Sequence, residues 1–359
     1  MPVPILAAVR SPFAEADGVL AGWHPVDLSV EIADAAITRA GITAASLDHV
    51  WVGCDEPVGA QGANLARAIV LAAGWPAALG GTVVEAGPHS GVAALGAAVD
   101  AIEAGRVERA VVLGVSSASI VQPGAAALAR LYGRPWGDGP AARFADHGGL
   151  VPPVVAADRH AAALAIDRSA QDEWGRRALE RRTPPPPGAI LPVGARPGDA
   201  VAVQRDTPVT TDVIRSIDND LEPIFDTDGT TTALTFAPAA DGVAALVLGR
   251  AGEALGEVEV TTSTGGSPLE VVSVYSDRAV DRLDLAAISA STALAALTLS
   301  GLDPALVDID GGTTAVGDAA AAEDLRPLVD GLHRSAANTT GIGARVSAGA
   351  AAGYVWRRL

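Results

Sequence analysis

The chain has 359 residues, 49% hydrophobic and only 4% aromatic, a length that fits two or three packed units rather than one small core. Its formal net charge is −17, with arginine as the sole basic residue type besides histidine; such acidity repels phosphate backbones and argues against a nucleic-acid partner. The single cysteine, Cys54, excludes an internal disulfide.

The N-terminus, MPVPILAAVRSPF, lacks a basic stretch followed by a long apolar one, and no apolar run approaches the ~20 residues that span a bilayer. A soluble, cytoplasmic protein is expected. Residues 27–40 place apolar side chains at helical spacing, with Asp27 as the expected N-cap. A strand follows at 49–53, a helix at 61–74, a strand at 81–86, a helix at 91–104 and a buried strand at 109–115. This rhythm predicts a layered α/β fold with helices covering a mostly parallel sheet. Residues 116–229 break it. They hold a proline run (183–188), few strand signals and one clear helix from about Arg168 to Arg182, and they read as an inserted lobe. Strands return at 242–249 and 256–263.

Residues 40–53 (AGITAASLDHVWVG) and 300–312 (SGLDPALVDIDGG) share a pattern: a helix end with glycine, an acidic turn, then a strand. Such units recur by chance in α/β proteins; the other reading is a duplicated half-fold.

These residues resemble one family, the thiolases. AAVRSPF and GVLAGWHPVDL look like the family opening. VGCDEPVGAQGANLARAIVLAAGWP (52–76) resembles the stretch before the nucleophile. IDRSAQDEWGRRALERR (166–182), the run 228–249 with Asp241-Gly242-Val243-Ala244, and SGLDPALVDIDGGTTAVG (300–317) follow in family order over nearly the whole chain. The resemblance implies a thiolase fold of class α/β, with duplicated αβαβα five-layered halves and an inserted loop domain. The expected division is 1–115 completed by 230–255, a loop domain at 116–229, and a second half at 256–359.

The resemblance also locates the catalytic positions. A thiolase needs a cysteine at a helix N-terminus, where the helix dipole favours thiolate. Here the matching run is Pro88-His89-Ser90-Gly91, with proline in the nucleophile's place, a residue suited to the first turn of a helix. Ser289-Ala290-Ser291-Thr292 matches the segment whose asparagine orients a water in the family. Gly317-Asp318-Ala319 matches the segment with the catalytic histidine, and an aspartate there would repel a developing oxyanion. Counting back from the C-terminus places Arg345 at the acid/base cysteine; a guanidinium stays protonated and cannot act as that base. His89, Asp318 and Arg345 are expected to face one pocket. There they form either a new acid/base site, with His89 and Asp318 as the working pair, or a buried Arg–Asp ion pair that fills it. Cys54 reads as a buried small residue rather than a nucleophile. His24, His49, His147, His160 and His333 show no metal-ligand spacing.

The leading expectation is a non-catalytic subunit that pairs with a catalytic thiolase-like subunit acting on acyl-CoA thioesters, as a homo- or hetero-oligomer. The alternatives are an acyl-CoA-processing enzyme with a remodelled site, of acyltransferase or aldol-lyase type, and a CoA-ester binding or scaffold protein that docks a small companion domain. No cofactor is expected beyond a coenzyme A thioester as ligand; Arg134, Arg143, Arg159 and Arg168 in the middle segment match no CoA-contact motif.

Overall fold

A computed structural model describes residues 2–128, 133, 137–147, 149–207, 221–250, 252–263, 280–300, 303–347 and 351–359. The first half opens with strand β1 (Val3–Arg10), the short β2 (Ala14–Glu15) and helix α1 (Pro25–Arg39). There follow β3 (His49–Gly53), α2 (Leu65–Ala72), β4 (Gly80–Val84), α3 (Ser90–Glu103) and β5 (Arg109–Ser116).

Two helix starts differ from expectation. The N-cap of α1 is His24, whose Nδ1 accepts from Val26 N, rather than Asp27, which lies inside the first turn. Pro25, with its pre-set φ and missing N–H, fixes the start at this earlier point. Helix α2 begins four residues later than its apolar spacing suggests. Asn64, held left-handed at φ 60°, accepts from Arg67 N and caps it there.

The middle segment carries helices α4 (Ala125–Leu128), α5 (Asp138–Phe144), α6 (Pro153–Ala163) and α7 (Arg168–Arg181). Its strands β6 (Val193–Gly194) and β7 (Ala202–Val203) form a separate two-stranded sheet. Asp167 caps α7 by accepting from Ala170 N at 2.8 Å. The chain returns to the main sheet through β8 (Ala240–Gly249) and β9 (Gly256–Ser263). It continues with β10 (Arg282–Ala287), α8 (Ala290–Ser300), α9 (Gly312–Val316), α10 (Ala320–Arg334), β11 (Thr340–Val346) and β12 (Ala351–Arg358).

Strand order in the main sheet is β10-β11-β12-β9-β1-β8-β5-β3-β4. The two ends of this order repeat one design. Parallel β3 and β5 are followed by antiparallel β8 and then β1; parallel β10 and β11 are followed by antiparallel β12 and then β9. In the second unit Val307 bridges Leu283 in parallel, where the first unit has β4 beside β3. Duplication, rather than chance recurrence, accounts for a match in both pairing sense and order.

Three apolar clusters give the layers. Helices α1 and α2 cover one face of the first unit through Leu28, Ile32, Leu65 and Ile69 against Val50, Val111 and Val247. The other face, with Leu246 and Leu248, packs on α3 and α10, which also meet Val258 and Trp356 of the second unit. Beyond it, α8 and Trp174 cover Leu283, Leu285 and Ile342. The alternation along β8 sends Val243, Ala245 and Val247 outward and Ala244, Leu246 and Leu248 inward, as a strand buried on both faces requires.

Helix α10 is central yet charged, and its buried charges are paired. Arg326 bonds Glu323 at 2.7 Å, and Asp330 receives Arg10 Nε at 2.8 Å, with Arg10 also clamped on Asp206. Among the described residues no helix is long and apolar enough to cross a membrane.

Candidate functional site

The N-termini of α3 and α10 meet at the centre of the molecule, beside the C-terminal ends of the parallel strands. Gly91 is the contact point: a Cβ there would lie 2.2 Å from Ala321 O. Such close approach is open only to glycine. Helix α10 supplies the cap that α3 lacks. Asp324 Oδ2 accepts from Gly91 N at 2.9 Å and from Val92 N at 3.3 Å, satisfying the free N–H groups of α3's first turn. Asp318, just before α10, accepts from Ala320 N at 3.1 Å.

Arg345, at the end of β11, stands between these carboxylates. Its Nη1 and Nη2 donate to the two oxygens of Asp318, both at 2.8 Å, and its Nε lies 3.7 Å from Asp324 Oδ1. Burial alone would lower the Arg345 pKa; Asp318, Asp324 and Asp55 more than offset this and hold it above the usual range. Asp55, on the loop after β3, belongs to the same cluster. Burial raises its carboxyl to about 7, with Arg345 pulling down and Asp318 pushing up. His89 is lowered to about 4, by burial first and then by Arg345. Asp55 Oδ1 and His89 Nδ1 are both closed to solvent and without a hydrogen-bond partner.

The structure thus brings His89, Asp318 and Arg345 into one cluster, adds Asp55 and Asp324, and corrects the roles of several. Pro88 is exposed and stands before the N-cap His89, outside the first turn it was expected to occupy, because α3 begins only at Ser90. Asp318 is held by both its oxygens in the ion pair, so it is not a free acid/base partner for His89. Ser289 caps α8: its Oγ accepts from Thr292 N at 3.2 Å and meets the hydroxyls of Ser291 and Thr292. Its bonds reach neither Asp318 nor Arg345. The segment leading into β8 links the two regions, where Phe236 bridges Ser289 and Ala239 bridges Asp318.

Cys54 is fully buried, and burial pushes its thiol up to about 12. Asp55 and Asp324 had no motif to mark them; the signals were an acid two residues after a strand end and another close behind an Ala-rich helix start. In the middle segment Arg168 pairs with Asp172 and donates to Leu221 O, while Arg134 lies outside the described residues.

Comparison with known proteins gives this geometry its context. Residues 3–252 match the family described as thiolase, N-terminal domain. The acetyl-CoA acetyltransferase of Cupriavidus necator is 29% identical, over 92% of each chain. The steroid 3-ketoacyl-CoA thiolase FadA6 of Mycobacterium tuberculosis is 35% identical over 115 residues, 32% of this chain and 28% of that protein. Among solved structures, the Acat5 thiolase of Ascaris suum in complex with coenzyme A superposes with a TM-score of 0.83 at 21% identity, covering all of both chains. Human mitochondrial 3-ketoacyl-CoA thiolase gives 0.80 at 20%, covering 99% of this chain and 98% of that one. These likenesses show the thiolase fold, and with the family match over most of its length the chain belongs to the thiolase family.

Proposed function

We propose that this chain is a thiolase-fold subunit without thiolase chemistry of its own, which pairs with a catalytic thiolase-like subunit acting on acyl-CoA thioesters. One observation carries this reading: the free N–H groups at the start of α3, where a thiolate would have to be stabilised, are taken by the Asp324 carboxylate. Those donors are already satisfied by Asp324 Oδ2, so a thiolate placed there would find no free N–H to stabilise it. The residue in the nucleophile's place is Pro88, and the one cysteine of the chain, Cys54, is buried with a raised pKa. Coenzyme A enters as ligand class through the relatives' names and the coenzyme A complex of the Ascaris thiolase.

The test is twofold. The purified chain is assayed for thiolysis of acetoacetyl-CoA and is expected to give none. Co-expression with an active thiolase from the same operon or genome neighbourhood is expected to yield a heteromer on tandem-tag purification. Turnover by the chain alone, or recovery of homodimers only, overturns the reading.

A remodelled acid/base centre is the second reading. It is favoured by the two unpartnered buried atoms of Asp55 and His89 and is weakened by the loss of Asp318 to its ion pair. Binding of CoA esters without turnover would mark the chain as a scaffold instead.

A further inference from the structure

We propose that the centre of the molecule holds one buried water, bound between Arg345 Nε and Asp324 Oδ1 where α3 and α10 begin.

The two atoms lie 3.7 Å apart, on side chains 3% and 0% exposed. That is too long for a direct hydrogen bond, and each atom is closed to solvent and without a partner in the protein. Neither side chain can move to close the gap. Arg345 is fixed by Nη1 and Nη2 on the two oxygens of Asp318, both at 2.8 Å, and turning Nε toward Asp324 would break that two-pronged contact. Asp324 is fixed by Oδ2, which accepts from Gly91 N at 2.9 Å and Val92 N at 3.3 Å; rotating the carboxylate would release those helix N–H groups. The backbone of α10 is held as well. The carbonyl of Asp324 accepts from Tyr354 Oη at 2.8 Å, and α3 already presses on α10 so closely that a Cβ on Gly91 would come within 2.2 Å of Ala321 O. A buried donor and a buried acceptor are thus set side by side, and each is kept from the other by the bonds its own side chain makes elsewhere.

These two atoms specify their ligand. Nε–H can only donate and the carboxylate oxygen only accept, so the ligand must accept from one and donate to the other. An anion would be repelled by the carboxylates of Asp324 and Asp318. A cation would face the Nε–H of a guanidinium with a single carboxylate oxygen to bind it, and among the described residues no group of His, Cys, Asp and Glu is arranged to hold a metal ion. Water satisfies both atoms. Placed about 2.9 Å from each, it lies off the line joining them, accepts from Nε and donates to Oδ1. Buried polar groups that cannot reach one another are served in this way in folded proteins, and such waters are costly to remove. With the water bound, all three nitrogens of Arg345 and both oxygens of Asp324 are satisfied. The start of α3 is then closed by a carboxylate on one side and a neutral ligand on the other. The inference concerns the resting chain and holds whichever partner the chain pairs with.

The test uses the full-length, unaltered chain, so no variant has to fold. A high-resolution crystal structure is expected to show one water within hydrogen-bond distance of both Arg345 Nε and Asp324 Oδ1. In solution, the Nε–H of Arg345 in ¹⁵N-labelled, deuterated protein is expected to give cross-peaks with the water resonance of opposite sign in NOE and ROE spectra. That sign pattern marks a water held in place; simple proton exchange with solvent gives the same sign in both. A crystal structure with Nε and Oδ1 in direct contact overturns the proposal, as does an ion in the density between them. So does an Nε–H that shows exchange peaks only or no water peak at all. None of these readouts involves a second subunit or turnover, so failure here is distinct from failure of the heteromer reading.

Discussion

Arg345 and Asp318 meet end to end, two guanidinium N–H groups on two carboxylate oxygens at 2.8 Å, across the place where α3 and α10 begin. The pair joins the end of a strand in the second unit to the start of the central helix. It also blocks Asp318 from proton transfer.

The pair should be stronger in context than its removal as a unit suggests. Arg345→Met leaves Asp318 and Asp324 buried without their cation and is expected to cost about 3–5 kcal/mol in urea unfolding. Asp318→Asn, which leaves Arg345 with Asp324, should cost less. The double variant Arg345→Met/Asp318→Leu should recover part of the loss. Strict additivity of the two single changes would show that the side chains are not coupled.

Gly91→Ala should damage the fold more than its size implies. The added methyl would meet Ala321 O at 2.2 Å and Asp324 Cβ at 2.7 Å, and a backbone oxygen cannot rotate away. The expected loss is about 3 kcal/mol or more, at the top of the overpacking range. Gly139→Ala, within α5 and with nothing within 4 Å, is the control and should cost no more than about 0.5 kcal/mol. Equal midpoints for the two would show that α3 and α10 can separate freely.

The apolar runs placed β3, β5 and β9 and the body of α3 and α7 almost to the residue, because each is bounded by a clear terminator. The convergence of His89, Asp318 and Arg345 was legible through their order within a recognised pattern. What stayed hidden was pairing. Helix α10 carries an apolar stripe, Ala322, Leu325, Leu328, Val329 and Leu332, but its charged face is buried too: Glu323, Asp324, Arg326 and Asp330 are held by partners such as Arg10, 320 residues away. Asp324's cap on α3 spans 233 residues, and no local spacing encodes it. The proline at position 88 signals a helix start, but whether it falls inside or before the first turn depends on where the N–H groups find acceptors.

Cys54 should be chemically silent. With its thiol near 12, about one molecule in 10⁴ carries thiolate at pH 8, and the sulfur is fully buried. Native protein is expected to resist iodoacetamide for hours and to take up one equivalent in 8 M urea. Rapid stoichiometric labelling of the native chain would return Cys54 to the list of nucleophile candidates. Cys54→Ala should change stability by only about 1–2 kcal/mol, the loss of one small buried group.

The buried carboxyl of Asp308 offers a test of the charge excess in the second unit. Its Oδ1 accepts from Leu285 N at 2.9 Å, its backbone is left-handed at φ 45°, and it is 7% exposed. Burial and the neighbouring Asp284 and Asp310 push its pKa well above the ordinary value of 3.8, and Leu285 N–H and Arg326 only partly oppose them. A folded pKa above the unfolded one means that the folded protein holds the extra proton. Stability from this site is therefore full below about pH 4 and declines as pH rises toward the folded pKa. Asparagine keeps the acceptor for Leu285, tolerates the left-handed backbone and carries no charge. Asp308→Asn should accordingly be more stable than wild type at pH 7, and the two should converge near pH 4 in parallel urea titrations. A variant that is weaker at pH 7 and gains on wild type as pH falls would mean that Arg326 outweighs burial and that Asp308 is ionised in the fold.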